Sequence, residues 1–92
     1  MRLTWKKDST GVHIMTLPDG TFAGSLIPAG AMRYLGTVEF RDASGKVVAE
    51  STPTYHGLRW NRARAQLAAL YKELEECHKF YGDHIKLVRI PG

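Results

Sequence analysis

Residues 32–41, MRYLGTVEFR, alternate with a period of two. Met32, Tyr34, Gly36, Val38 and Phe40 share one face, and Arg33, Leu35, Thr37, Glu39 and Arg41 share the other. Successive strand side chains point to opposite faces, so an apolar set opposed by a mostly polar one predicts a half-buried strand. Upstream, the apolar runs GVHIMTL (11–17) and TFAGSLI (21–27) flank PDG (18–20). Proline suits an early turn position and glycine accepts positive φ, so the pair reads as a hairpin closed by Pro28, Ala29 and Gly30. DASG (42–45) predicts another turn and KVVAES (46–51) another strand, while RLTWKK (2–7) adds a short strand at the edge. Loops this short join only neighbouring antiparallel strands, which makes the first half a meander.

TPTYHG (52–57) breaks the alternation. Thr52 or Thr54 is expected to cap a helix there, with Pro53 tolerated in its first turn. Beyond it the period changes. Trp60, Ala63, Leu67, Leu70, Tyr71, Leu74, Cys77 and Tyr81 follow helical spacing, and Arg62, Ala69, Glu73, Glu76 and Phe80 fall on the opposite side. Glu75 and Lys79 stand in the favourable i, i+4 order, and Gly82 is placed to end the helix in a left-handed cap. HIKLVRI (84–90) then alternates Ile85, Leu87 and Arg89 against Lys86, Val88 and Ile90 as a last strand. The expected fold is α+β: an antiparallel β-meander of three to five strands packed against one long C-terminal helix, with a short terminal strand, in one domain over 1–92. One amphipathic helix covers one face of such a sheet and leaves the other to water or a partner.

Charge sharpens this picture. The chain carries a formal net charge of +4. Residues 51–72 hold Arg59, Arg62, Arg64 and Lys72 with no acid, so the whole surplus sits there. Arginine at a helix start and glutamate towards its end run against the helix dipole, at a cost of about 0.3–1 kcal/mol per charge. Carboxylates such as Glu39 or Glu50, or the phosphates of a partner, would offset it, since a guanidinium grips either in two places.

The chain offers little for catalysis. Its four histidines, His13, His56, His78 and His84, and its one cysteine, Cys77, show no paired spacing of a zinc site. Cys77 lies on the helix's apolar side, where a thiol behaves as a small hydrophobe. No serine sits in a nucleophile elbow, GTFAG and ASGK match no phosphate-binding loop, and Glu75 and Glu76 diverge by about 100° on the helix. The expectation is therefore no enzyme, no catalytic residue, no metal and no cofactor. A lone cysteine fits a reducing compartment, and no segment reaches the roughly 20 apolar residues of a membrane span, so a cytoplasmic, non-membrane setting is expected.

In element order alone, residues 11–81 resemble the plan of plant AP2-type domains and of the arm-binding domains of phage integrases, which read DNA through a sheet face. No residue motif of either family occurs, so the chain is assigned to neither. The resemblance implies nucleic acid as partner. The corresponding expectation is a small basic accessory protein whose sheet face (Arg33, Thr37, Arg41, Lys46) and helix start (Tyr55, Arg59, Trp60, Arg62, Arg64) contact phosphates and bases. The alternative is a protein-interaction module without enzymatic activity, an adaptor or inhibitor of a phage or other mobile element, with a homodimer left open. On that reading Trp60 heads the core stripe, and Trp5, Tyr55 and Phe80 are spare aromatics.

Overall fold

A computed structural model describes residues 2–30, 33–56, 59–82 and 85–88, with the side chains of Tyr55 and Leu87 excepted. Expectations resting on Met32, His84, Arg89 and Ile90 lie outside the described residues. The chain runs β1 (Thr4–Lys7), β2 (His13–Thr16), β3 (Phe22–Pro28), β4 (Tyr34–Arg41), β5 (Val47–Ser51), β6 (Thr54–His56), α1 (Trp60–Tyr81) and β7 (Ile85–Leu87). All seven strands join one sheet in the order β1-β2-β3-β4-β5-β7, and β6 also pairs with β4. The meander β1 to β5 is antiparallel throughout, and β7 lies parallel to β5 after the helical crossover. The expected α+β architecture is the one observed.

Two hairpins share one loop chemistry. In Asp8–Val12 and again in Asp42–Lys46, the aspartate Oδ1 accepts hydrogen bonds from the hydroxyl and backbone N–H of residue i+2 and from the N–H of residue i+4. The fourth residue is glycine at φ 90° (Gly11) and 88° (Gly45), a region that other residues enter only under strain. Each loop thus supplies its own hydrogen-bond partners, and Lys46 sits in the loop, one residue before β5.

The expected helix cap is corrected by the structure. Thr54 belongs to β6, where its hydroxyl meets His56 Nε2, and α1 begins behind Arg59 with no side-chain cap. Pro53 has no N–H for a ladder, so it interrupts the strand rather than opening a helix. After it the chain resumes against the other half of β4, pairing Gly36 with Thr54 and Tyr34 with His56.

Registers sort the side chains into rows. Trp5, Met15, Gly24 and Val38 stand opposite one another across β1 to β4, as do Lys7, His13, Leu26 and Gly36. These rows face α1. A Cβ placed on Gly36 would lie 2.8 Å from Leu67 Cδ1, so glycine there lets helix and sheet close up. Met15, Leu26, Val38, Leu67 and Leu74 are fully buried between the layers. The least dimension of the molecule, 19 Å, accommodates one helix on one sheet and no third layer. The helix buries Ala63, Leu67, Leu70, Tyr71 and Leu74 as its spacing predicts, with Trp60 and Cys77 half-buried. Tyr81 departs from the stripe and is 73 % exposed, while His78, one turn earlier, still meets Phe40 of the sheet at 5.0 Å. Gly82 ends α1 at φ 88°, ψ −154°, a conformation essentially restricted to glycine but not the left-handed cap itself. Among the described residues no helix is long and apolar enough to cross a membrane.

Candidate interaction surfaces

The sheet face turned away from α1 is built from the remaining rows. Lys6, Ile14, Ser25 and Thr37 stand in one line, Ile27 and Leu35 in a second, and Glu39, Glu50 and Lys86 in a third. Hydroxyls pair across it: Thr4 with Thr16 at 2.7 Å and Ser25 with Thr37 at 3.2 Å. Arg41 is anchored on this face, its Nε donating to Glu39 at 2.5 Å while its guanidinium lies over the Phe22 ring. Charge here is close to balanced.

The sequence-derived contact residues therefore divide. Thr37 and Arg41 belong to the open sheet face, and Arg41 already has a carboxylate. Arg33 is exposed immediately before β4, and Lys46 is exposed in the β4–β5 loop. Tyr55 pairs through its backbone with Leu35, and its side chain lies outside the described residues. Arg59, Trp60, Arg62 and Arg64 stand on the other layer, at the start of α1. The open sheet face and the start of α1 are thus two separate surfaces on opposite layers of the domain.

At the helix start Trp60 is engaged in packing. His13 stacks on it at 3.8 Å, Trp5 meets it edge-on at 5.2 Å, and the Arg64 guanidinium lies 5.8 Å from its centroid. Burial, with Lys7 nearby, pushes the His13 imidazole below its ordinary range against a smaller opposing pull from Asp8, so neutral imidazole is favoured against the indole. Arg59, Arg62, Arg64 and Lys72 are exposed, and among the described residues no carboxylate lies within salt-bridge distance of them. The helix begins without an acid in its first turn, so nothing local offsets the reversed dipole order.

A third feature has no counterpart in the linear reading. β1 is the end strand of the sheet, and beside it runs a trough of about 580 Å³. Leu3 and Trp5 form one wall, and Ala65, Ala68 and Ala69 of α1 form the other, with Asn61, Arg64, Lys72 and Glu75 along its rim. From Asn61 to Glu75 the helix rises about 21 Å at 1.5 Å per residue. Tyr71 reaches the trough from the core. Burial first, and then Glu75 and Asp19, push its phenol up to about 12, so it stays neutral. Glu75 is held by Lys79 at 3.7 Å. The trough joins segments about sixty residues apart in the chain, and its only local sign is a run of small side chains beside the apolar stripe.

Among the described residues no three His, Cys, Asp or Glu side chains are grouped to hold a metal ion. His56 has its ring nitrogens against Thr54 and Gln66, a pairing that fits the neutral tautomer with Nδ1–H donating to Gln66, and burial lowers its pKa. No family model, curated protein or solved structure matches the chain.

Proposed function

We propose that this domain is a non-catalytic protein-interaction module that takes an extended segment of a partner polypeptide as an added strand along β1. The observation that carries this reading is the coincidence of a sheet edge, β1, that pairs only with β2 among the described residues, with a concave trough. An edge strand presents a row of unsatisfied N–H and C=O groups, which a second chain completes. The trough gives the incoming side chains somewhere to lie. Its span suits about six residues at roughly 3.3 Å each. The test is selection from a displayed library of short peptides, with binders mapped by amide chemical shifts. The expected outcome is perturbation of Thr4–Lys7 and of the Asn61–Glu75 flank. Perturbation confined to the open sheet face would overturn the reading.

The exposed cations Arg59, Arg62, Arg64 and Lys72 favour a second reading, a basic accessory protein that binds nucleic acid through its helix start. Phosphates would supply the negative charge that the first turn lacks. Each phosphate neutralised releases counterions, so binding to mixed-sequence DNA or RNA would weaken steeply with salt. Absence of binding at low salt would remove this second reading.

A further inference from the structure

Resting on the strand-addition reading, we infer that the segment taken up along β1 is acidic. The argument is charge complementarity around the trough. Lys6 and Lys7 lie exposed on β1, Arg64 and Lys72 stand on the opposing helix flank, and none of them has a carboxylate partner among the described residues. Among the described residues two acids act near the trough: Glu75, which already has Lys79 at 3.7 Å, and Asp19 in the β2–β3 turn, whose Oδ1 accepts from the Thr21 N–H. An incoming strand alternates its side chains between the two sheet faces. On the outer face they pass beside Lys6. On the helix face they pass beside Trp5 and Lys7 and beneath Arg64 and Lys72. Carboxylates therefore meet a cation on either face, while small apolar side chains settle against Ala65 and Ala68. A second copy of this chain is disfavoured by the same charges, because pairing β1 with β1 adds the lysines of a second β1 to an already cationic rim, and like charges brought together at an interface are unfavourable. Opposed charge also raises the association rate and rejects wrong partners, so the cationic rim serves selectivity as well as affinity.

The experiment measures binding of an alternating glutamate–valine peptide about eight residues long, alongside its glutamine–valine and lysine–valine counterparts, by fluorescence anisotropy with the whole protein. The glutamate peptide is expected to bind about tenfold or more tightly than the glutamine peptide, with no measurable binding of the lysine peptide. Arg64→Glu with Lys72→Glu is expected to reverse that order, and circular dichroism checks that this variant is folded. Ala65→Trp fills the trough at an exposed helix position and is expected to abolish binding of every peptide. N-methylation of alternate peptide amides is expected to remove binding in one phase only, as a strand ladder requires. Equal binding of the glutamate and glutamine peptides overturns the acidic assignment and leaves strand addition standing. Failure of all peptides to bind overturns strand addition itself. Displacement of the glutamate peptide by an oligonucleotide whose own binding survives Ala65→Trp but is lost with Arg59→Ala and Arg62→Ala overturns the peptide assignment in favour of nucleic acid.

Discussion

Gly36→Ala probes how closely helix and sheet approach. Gly36 does not occupy the left-handed region, so alanine meets no backbone strain there. At an uncrowded site the exchange stabilises by about 0.4–1 kcal/mol, through a less flexible unfolded chain. Here the new Cβ would lie 2.7 Å from His56 Cδ2, 2.8 Å from Leu67 Cδ1 and 2.9 Å from His56 Nε2. Comfortable contacts begin near 3.5 Å, so each neighbour must retreat by roughly 0.6–0.8 Å. Neither is free to do so. Leu67 is fully buried, and the imidazole is tied to Thr54 at 2.5 Å and Gln66 at 3.2 Å. Overpacking of this kind costs about 1–3 kcal/mol. After the unfolded-state gain, the net loss is about 1–2 kcal/mol, or a fall in Tm of roughly 5–15 °C for a domain of this size. Urea and thermal unfolding of the two proteins measure it. Gly24→Ala is expected to cost more, because its Cβ would lie 2.5 Å from the Thr37 carbonyl oxygen, a backbone atom of the neighbouring strand. A Gly36→Ala protein as stable as the parent, or more stable, would refute the packing described for this row.

Leu67→Ala is expected to destabilise by about 2–5 kcal/mol in urea unfolding, since it empties a fully buried position, whereas Phe80→Ser, at a site 81 % exposed, stays within about 0.5 kcal/mol. Stability is also expected to fall on acidification. Burial lowers the folded-state pKa of both His13 and His56 below 6.5, so the unfolded chain binds more protons in that interval. The contribution of each is fully present above about 6.5 and is lost as pH falls from there through the folded value. Denaturant midpoints measured at neutral and mildly acidic pH check this, and the slope should diminish in His13→Gln. Glu39→Ala is expected to change stability by less than about 1 kcal/mol, since the Arg41 pair it breaks is partly exposed.

What the sequence makes legible follows from how local each signal is. The alternation of 34–41, the Asp-Gly turn and the helical stripe from Ala63 to Leu74 each encode their own element, and each is where its pattern places it. The two D-x-[ST]-G loops carry the same chemistry in plain sight. β6 is less visible, because Pro53 divides the strand and only three residues follow it. The parallel pairing of Ile85 with Ala49 depends on where the helix returns the chain, and no local pattern specifies that. The candidate surfaces show the same limit. Helical spacing identifies Ala63 and Leu67 as buried, but the trough exists only because Leu3 and Trp5 come to lie beside Ala65 and Ala68. Likewise the arginines of β4 and α1 look like one cluster in sequence, until the helix proves to cover the face opposite Arg41.

Amide hydrogen exchange across Thr4–Lys7, with and without the glutamate–valine peptide, tests the open edge most directly. In the free protein the four amides should alternate between slow exchange, where N–H groups point to β2, and fast exchange, where they point outward. The peptide should then slow the fast set. Uniformly slow exchange in the free protein, or a fast set indifferent to the peptide, would contradict an unoccupied strand edge waiting for a partner.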